Sequence, residues 1–189
     1  MKPYCFKPAC CVKGVVSFAG DKSIAHRSVI LSALTSGKTQ IENFPSNKDC
    51  LATLNVFKKL GLRILYEKPS TVIVFGKGPY GLRAPKGPIF IGESGTTFRL
   101  LLGVLAGQNF QTKLLAGKSL SRRPMRRVTL PLRMMGATIN ALRKTHHAEP
   151  EEYPPVLVKG GNLKGIAYKM PVASAQVKSA ILLAGLYAK

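Results

Sequence analysis

Apolar positions along this chain fall into blocks of helical and of strand period, and the blocks recur in the same order. Three stretches share one plan, a small or polar mouth, an apolar helical run and a small-residue exit: "GDKSIAHRSVILSAL", "GESGTTFRLLLGVLAG" and "ASAQVKSAILLAG". Their mouths, at Gly20, Gly92 and Ala173, recur at about 70 to 80 residues, longer than an ordinary solenoid period. The first two are each followed by a second helical pattern. Leu51, Leu54, Phe57 and Leu60 mark one face of the first, and Met125, Val128, Leu132 and Met135 mark one face of the second. Each pattern ends at a glycine, Gly61 or Gly136, where a helix C-terminus is expected. Asp49 is the expected cap of the earlier helix. Pro131 predicts a kink or a late start in the later one. The runs "TVIVFG" at 71–76 and "PVLVKG" at 155–160 read as strands, with "THHAEPEEYPP" as a solvated strand-to-strand connection. The unit is therefore βαβαββ, present about two and a half times, and the fold class is α/β.

Composition adds feasibility and a charge problem. Hydrophobic residues make up 46% of the 189, enough for a buried core. The net charge is +21, from 29 Lys and Arg against 8 Asp and Glu. Such an excess attracts nucleic acid, anionic membrane or small anions. No stretch reaches the roughly 18 apolar residues of a membrane helix, and the N-terminus lacks a signal-peptide core. Cys5, Cys10, Cys11 and Cys50 form no CxxC, and His146 and His147 have no ligand-like spacing to them, so the cysteines read as reduced thiols in a cytoplasmic protein. The chain stops within an apolar helical run, "ILLAGLYAK", which reads as truncation inside a third unit.

Four polar sites stand out against this pattern. Lys22, Ser23 and Arg27 crowd the first helix mouth, where the helix dipole is already positive. Ser23 and Arg27 are one turn apart on one face. The stretch is either a capped surface helix or an anion site built from backbone N–H groups and cations. In "GESGTTFRLL", Gly95 permits a close approach to the backbone and Arg99 follows inside the helix, though Ser94 as a simple cap explains the same letters. In "SLSRRPMRRV", Arg122, Arg123, Arg126 and Arg127 cannot all pair with the few acids of the chain, and they read as a solvated basic face or as anion ligands. Pro124 holds Arg123 extended just before a helix, which makes Arg123 the best anion ligand of the four. Ser174 and Gln176 open the third helix, as a capping pair or as hydroxyl-binding groups.

Taken together, "GDKSIAHR", "GESGTTFRLL", "SLSRRPM", "PLRMMGA", "EEYPP" and "SAQVKSAILLAGLYA" resemble, in order and over essentially the whole chain, the amino-terminal part of the 5-enolpyruvylshikimate-3-phosphate synthase family (3-phosphoshikimate 1-carboxyvinyltransferases). The resemblance implies the enolpyruvyl transferase fold, an inside-out α/β barrel of βαβαββ modules. Residues 1–19 would be a strand segment of a second domain, and 20–189 a first domain ending within its third module. It implies transfer of the enolpyruvyl group of phosphoenolpyruvate to the 5-hydroxyl of shikimate 3-phosphate with release of phosphate, a step of chorismate and aromatic amino acid biosynthesis. No metal or organic cofactor is implied, nor a nucleic-acid or membrane partner, and the full-length protein would be a cytoplasmic monomer.

By the same resemblance, Lys22 is catalytic and touches both substrates. Ser23, Arg27 and Ser174 hold shikimate 3-phosphate, Gly95 and Arg123 hold phosphoenolpyruvate, and Gln176 reaches both. Gly95 is also the position the family associates with glyphosate sensitivity. Ala175 stands where some members carry a second serine, leaving only backbone contact there. Glu93 departs from the family's usual Asn and would repel phosphoenolpyruvate unless it turns away or pairs. The family's proton-transfer carboxylates belong to the second domain, so this chain alone is expected to bind without turnover. Three alternatives are a UDP-N-acetylglucosamine enolpyruvyl transferase-like protein, a basic RNA-binding module on a similar repeat fold, and an inert fragment kept soluble by its charge. The first lacks a cysteine near the Arg loop, and the second lacks aromatics interleaved with basic residues.

Overall fold

A computed structural model describes residue 18 and residues 20–189 other than 68, 147 and 149. Apart from Phe18, the strand expected at 1–19 lies outside the described residues, as do Cys5, Cys10, Cys11 and His147. The first unit runs α1 (Lys22–Leu34), β1 (Ser36–Ile41), α2 (Lys48–Lys59), β2 (Arg63–Glu67), β3 (Thr71–Lys77). The second runs β4 (Ile89–Phe90), α3 (Gly95–Ala106), β5 (Gln111–Leu115), a 3-10 turn (Leu120–Arg122), α4 (Arg126–Met134), β6 (Thr138–Lys144), β7 (Glu152–Lys159). Helix α5 (Ala175–Gly185) then occupies the place of α1 and α3 in a third unit.

The sheets repeat as the sequence does. The first has the order β1-β3-β2 and the second β4-β5-β7-β6. In each, the unit's last strand lies between its two predecessors and is antiparallel to both. In the second sheet β4 adds a parallel edge beside β5. The expected βαβαββ order is thus complete in the second unit.

Local chemistry explains the helix ends. Asp21, Ser94 and Ser174 are the N-caps of α1, α3 and α5, and each side chain accepts the backbone N–H three residues on. After α2, the Gly61 N–H donates to the Lys58 carbonyl and the Leu62 N–H to Phe57. After α4, Gly136 donates to Arg133 and Ala137 to Leu132 in the same pattern. Both glycines have φ near +100°, 91° and 109°, as this left-handed termination requires.

Three expectations are corrected. The cap of α2 is Asn47, whose side chain accepts from the Cys50 N–H at 3.0 Å, and not Asp49, which lies in the first turn. Pro131 lies inside α4 and not at its start. Strand β7 begins at Glu152, so the connection after β6 is shorter than the stretch "THHAEPEEYPP". Pro154 and Pro155 fit within it because β5 pairs only from Val156 onward and a bulge interrupts the pairing with β6.

The core is continuous across both units. Helix α3 is its axis, with Phe98, Leu100, Leu101, Leu102, Val104 and Leu105 buried all round. Gly103 lets α3 lie directly on α5, since a Cβ there would sit 2.1 Å from the Ala180 carbonyl oxygen. The buried Glu152 carboxylate holds Arg133 at 2.8 Å and the Thr129 hydroxyl, pinning α4 to β7. No helix among the described residues is long and apolar enough to cross a membrane.

Candidate functional site

The packing brings the first turns of α1, α3 and α5 together. Ser23, Ile24 and Arg27 of α1, Thr96 of α3, and Ala175 and Gln176 of α5 line one open pocket of about 400 Å³. Backbone N–H groups of three helix starts face this region, so its field is positive before any side chain is counted.

The side chains divide into two groups. On the α1 side, Arg27 reaches from α1 to α5. It donates to the Ser23 carbonyl at 3.0 Å and to the Ser179 hydroxyl at 2.8 Å. Lys22, one residue before Ser23, makes an ion pair with Asp49 of α2. Its side chain is half-exposed and does not line the pocket, whose lining begins at the next residue, Ser23. Ser174 caps α5 and accepts from the Val177 N–H, which leaves its hydroxyl proton free to donate.

On the α3 side, guanidinium groups converge on Gly95. A Cβ at Gly95 would sit 2.8 Å from Arg99 Nη1 and 3.5 Å from Arg123 Nη1. Arg123 is extended, φ −91° and ψ 136°, as the following proline demands. Burial, with the nearby charges of Arg123 and Arg127, lowers the pKa of Arg99 from its ordinary value. A guanidinium remains protonated in a protein, so this is a cluster of unneutralised cations. Gln176 joins the two groups. Its carbonyl oxygen accepts from Arg99 Nη1 at 2.7 Å and its amide donates to the Thr96 hydroxyl at 2.9 Å.

Glu93 turns away from this cluster. Its carboxylate accepts the backbone N–H groups of Ser119, at 3.2 Å, and Leu120, at 2.7 Å, at the start of the 3-10 turn that leads to Arg123. Gly117 makes room for it, because a Cβ there would meet Glu93 Oε1 at 2.3 Å. The departure from Asn therefore clamps the Arg123 loop and puts no carboxylate beside Gly95.

The pocket thus unites Ser23, Arg27 and Gln176, with Gly95 and Arg123 paired beside it and Lys22 and Ser174 at its edges. Sequence reasoning named two residues without their roles. Arg99 was noted only as following Gly95 inside the helix; it does so by four positions, the spacing that also relates Ser23 and Arg27, and that spacing was the available signal. Asp49 gave no signal of its role, because its partner Lys22 lies 27 positions away.

Fold and site together define a repeat α/β protein of the enolpyruvyl transferase class, with a cationic cleft where helix mouths meet. The family model for EPSP synthase (3-phosphoshikimate 1-carboxyvinyltransferase) matches residues 7–189, and the chain belongs to that family. A protein of Geobacillus kaustophilus (strain HTA426) named 3-phosphoshikimate 1-carboxyvinyltransferase is 51% identical over 177 residues, which is 94% of this chain and 40% of that protein. Its namesake in Legionella pneumophila (strain Corby) is 46% identical over 184 residues, 97% of this chain and 41% of that one. An EPSP synthase structure from Acinetobacter baumannii superposes with a TM-score of 0.86 at 45% identity, covering 93% of this chain and 38% of that one. The chain spans about 40% of the length of the curated relatives it matches. These findings favour the family reading over both the UDP-N-acetylglucosamine-type and the RNA-binding alternatives.

Proposed function

We propose that this chain supplies the shikimate 3-phosphate site, and the first half of the phosphoenolpyruvate site, of a 3-phosphoshikimate 1-carboxyvinyltransferase. The observation that carries the reading is the cluster of Arg99 and Arg123 around Gly95, joined through Gln176 to the pocket of Ser23 and Arg27. Two anionic substrates need two cationic groups held side by side, and a bridging amide suits the hydroxyls between them. In this reading Ser23, Arg27, Ser174 and Gln176 hold shikimate 3-phosphate. Gly95, Arg123 and Gln176 hold phosphoenolpyruvate, with Arg99 as a further cation. Lys22 serves both and acts in catalysis.

The chemistry forms a bond from the 5-hydroxyl oxygen to C2 of phosphoenolpyruvate as the hydroxyl proton passes to a base and C3 gains a proton, giving a methyl group. A methyl proton then leaves C3 as the C2–O bond to phosphate breaks, which restores the C2=C3 double bond and forms the enol ether. Cations placed on both phosphates stabilise the adduct without a metal or organic cofactor. A group is still needed to give and take the C3 proton. Among the described residues no carboxylate lines the pocket, and Asp21, Asp49, Glu93 and Glu152 are each engaged elsewhere. In this reading the chain alone binds without turnover, and the whole protein works as a cytoplasmic monomer in chorismate and aromatic amino acid biosynthesis.

Calorimetric titration with shikimate 3-phosphate tests the site. The parent chain is expected to bind and Arg27→Ala to bind at least ~10-fold more weakly, the loss of one charge-assisted contact. Equal binding by both would overturn the assignment. Shikimate-3-phosphate-dependent release of phosphate by the purified chain would overturn the absence of turnover.

A further inference from the structure

Beneath the pocket runs a line of buried polar side chains that the proposed chemistry does not use. His26 Nδ1 lies 2.7 Å from Thr53 Oγ1, Thr53 Oγ1 lies 2.7 Å from Thr97 Oγ1, and Thr97 Oγ1 lies 2.7 Å from Ser94 Oγ. All four residues are at most 1% exposed. They come from α1, α2 and α3, and the last is the α3 cap, which also accepts the Thr97 N–H. His26 sits one turn below Lys22 and Ser23, and Ser94 directly precedes Gly95. The line therefore joins the underside of one anion-binding mouth to the lip of the other.

Such a line is costly to keep for stability alone. Valine would fill either threonine site, and a half-satisfied polar chain is worse than an apolar one. This one is half-satisfied at its end, because His26 Nε2 is buried without a hydrogen-bond partner among the described residues. A proton on Nε2 would be a buried N–H without an acceptor, and a proton on Nδ1 donates to Thr53. Each hydroxyl has one proton, so donation along the line has a single sense, from His26 through Thr53 and Thr97 to Ser94 or the reverse; Thr53 Oγ1 also lies 3.4 Å from the Asp49 carbonyl oxygen. A directional chain tolerates only a narrow range of separations at each link, whereas apolar contacts slide.

We infer that His26, Thr53, Thr97 and Ser94 form a positioning chain that fixes the separation of the α1 and α3 mouths, and with it the alignment of the two anions held there. The inference rests on the substrate assignment above. The ion pair of Lys22 with Asp49 forms a second rung between the same helices, one turn nearer the pocket, since Lys22 and His26 on α1 face Asp49 and Thr53 on α2. Helix α2 is thus the spacer, and α3 is set against it through Thr97.

Thr53→Val and Thr97→Val remove a hydroxyl and keep the shape, and Thr53→Ser restores the hydroxyl. The first readout needs no ligand. Amide exchange in the first turns of α1 is expected to rise at least ~5-fold in Thr97→Val, although Thr97 lies on α3, while α4 is unchanged. The second readout is affinity. Phosphoenolpyruvate binding at saturating shikimate 3-phosphate is expected to weaken ~10-fold in both valine variants, shikimate 3-phosphate alone to stay within ~2-fold, and Thr53→Ser to recover most of the loss. If a valine variant fails to fold, Thr53→Ala and Thr97→Ala take its place with the same expectations. Unchanged phosphoenolpyruvate affinity in folded variants overturns the inference, whatever the exchange shows, because the line would then be packing only. Equal weakening for both ligands overturns it too. A parent chain that binds neither ligand overturns the substrate assignment first and the inference with it, and altered exchange would not rescue either.

Discussion

His26 carries an imidazole in a fully buried position. Burial first, then the charge of Lys22, lowers its pKa from 6.5 to about 4; Asp49 opposes the shift and Arg27 adds to it. The sign of the stability effect follows. Between pH 6.5 and about 4 the unfolded chain takes up a proton at this site and the folded chain does not. Stability therefore falls as pH drops through that window and is unaffected by His26 above it. The full effect is of the order of 3 kcal/mol. Urea unfolding at pH 7.5 and pH 4.5 measures it. His26→Asn, which keeps an amide near the Nδ1 position and cannot titrate, is expected to flatten this part of the pH profile relative to the parent. Parallel profiles for the two proteins would show that His26 does not stay neutral in the fold. At this scale the sequence was partly silent. "DKSIAHR" displays the cations of the helix mouth, but a histidine beside two cations reads as surface until its depth is known. Its partners explain the silence: Thr53 is 27 positions away and Thr97 is 71.

Elements were more legible than contacts, for a physical reason. Gly61 and Gly136 could be read as helix ends because a left-handed position after a helix favours one residue type. The caps Ser94 and Ser174 were readable because capping spans only three residues. Asn47 and Asp49 were not separable, since both cap equally well on paper, and long-range pairing with Lys22 decided the matter. The prolines of β7 were hidden because a bulge is a property of two strands and not of one. The contact of α3 with α5 is the sharpest element-level case. Gly103 looks like a helix-weakening residue in "LLLGVLAG", yet a Cβ there would be 2.1 Å from the Ala180 oxygen and 2.8 Å from its carbonyl carbon. Those are backbone atoms and cannot swing aside. Gly103→Ala is expected to cost about 2 kcal/mol or more despite alanine's better helix propensity. Gly87→Ala, where nothing lies within 4 Å, serves as the control and should change stability by about 0.5 kcal/mol or less. Urea midpoints of the two variants decide it, and similar values would mean that the helices are not in backbone contact. A loss at Gly103 would also separate Gln176 from Arg99 and so reach the pocket through packing alone.

The whole molecule presents two kinds of positive charge, and they predict different behaviour. The diffuse kind is the excess of 29 basic over 8 acidic residues. It attracts any anion and is screened beyond about 8 Å at physiological salt. The local kind is the cluster at Gly95, where Arg99 and Arg123 converge at the mouths of helices whose N–H groups already point inward. A diffuse excess of positive charge destabilises the fold by self-repulsion, and any added salt relieves this by screening, whatever its anion. A site stabilises the fold by mass action, about 2.7 kcal/mol when free ligand is 100 times its dissociation constant, and then only logarithmically. Thermal unfolding in two series, one with added ligand at an ionic strength held constant with sodium chloride and one with increasing sodium chloride alone, separates the two. Shikimate 3-phosphate is expected to raise the midpoint along a binding curve, phosphate to do so at higher concentration, and further chloride to do little. Arg27→Ala should abolish most of the shikimate 3-phosphate effect. Arg123→Ala should leave that effect in place and remove the additional rise from phosphoenolpyruvate. A midpoint that follows ionic strength alone, equally in parent and variants, would mean that the charge only keeps the chain soluble. A long RNA raising it more than either small anion, with a steep loss of effect in salt, would return the basic surface to a nucleic-acid role. The first outcome is the one expected, because Gln176 is held at 2.7 Å by Arg99 and at 2.9 Å by Thr96, which fixes its amide between the Arg99–Arg123 cluster and the pocket of Ser23 and Arg27. A pre-set amide between two cationic centres gains little from a polyanion's uniform backbone and suits two small anions held side by side.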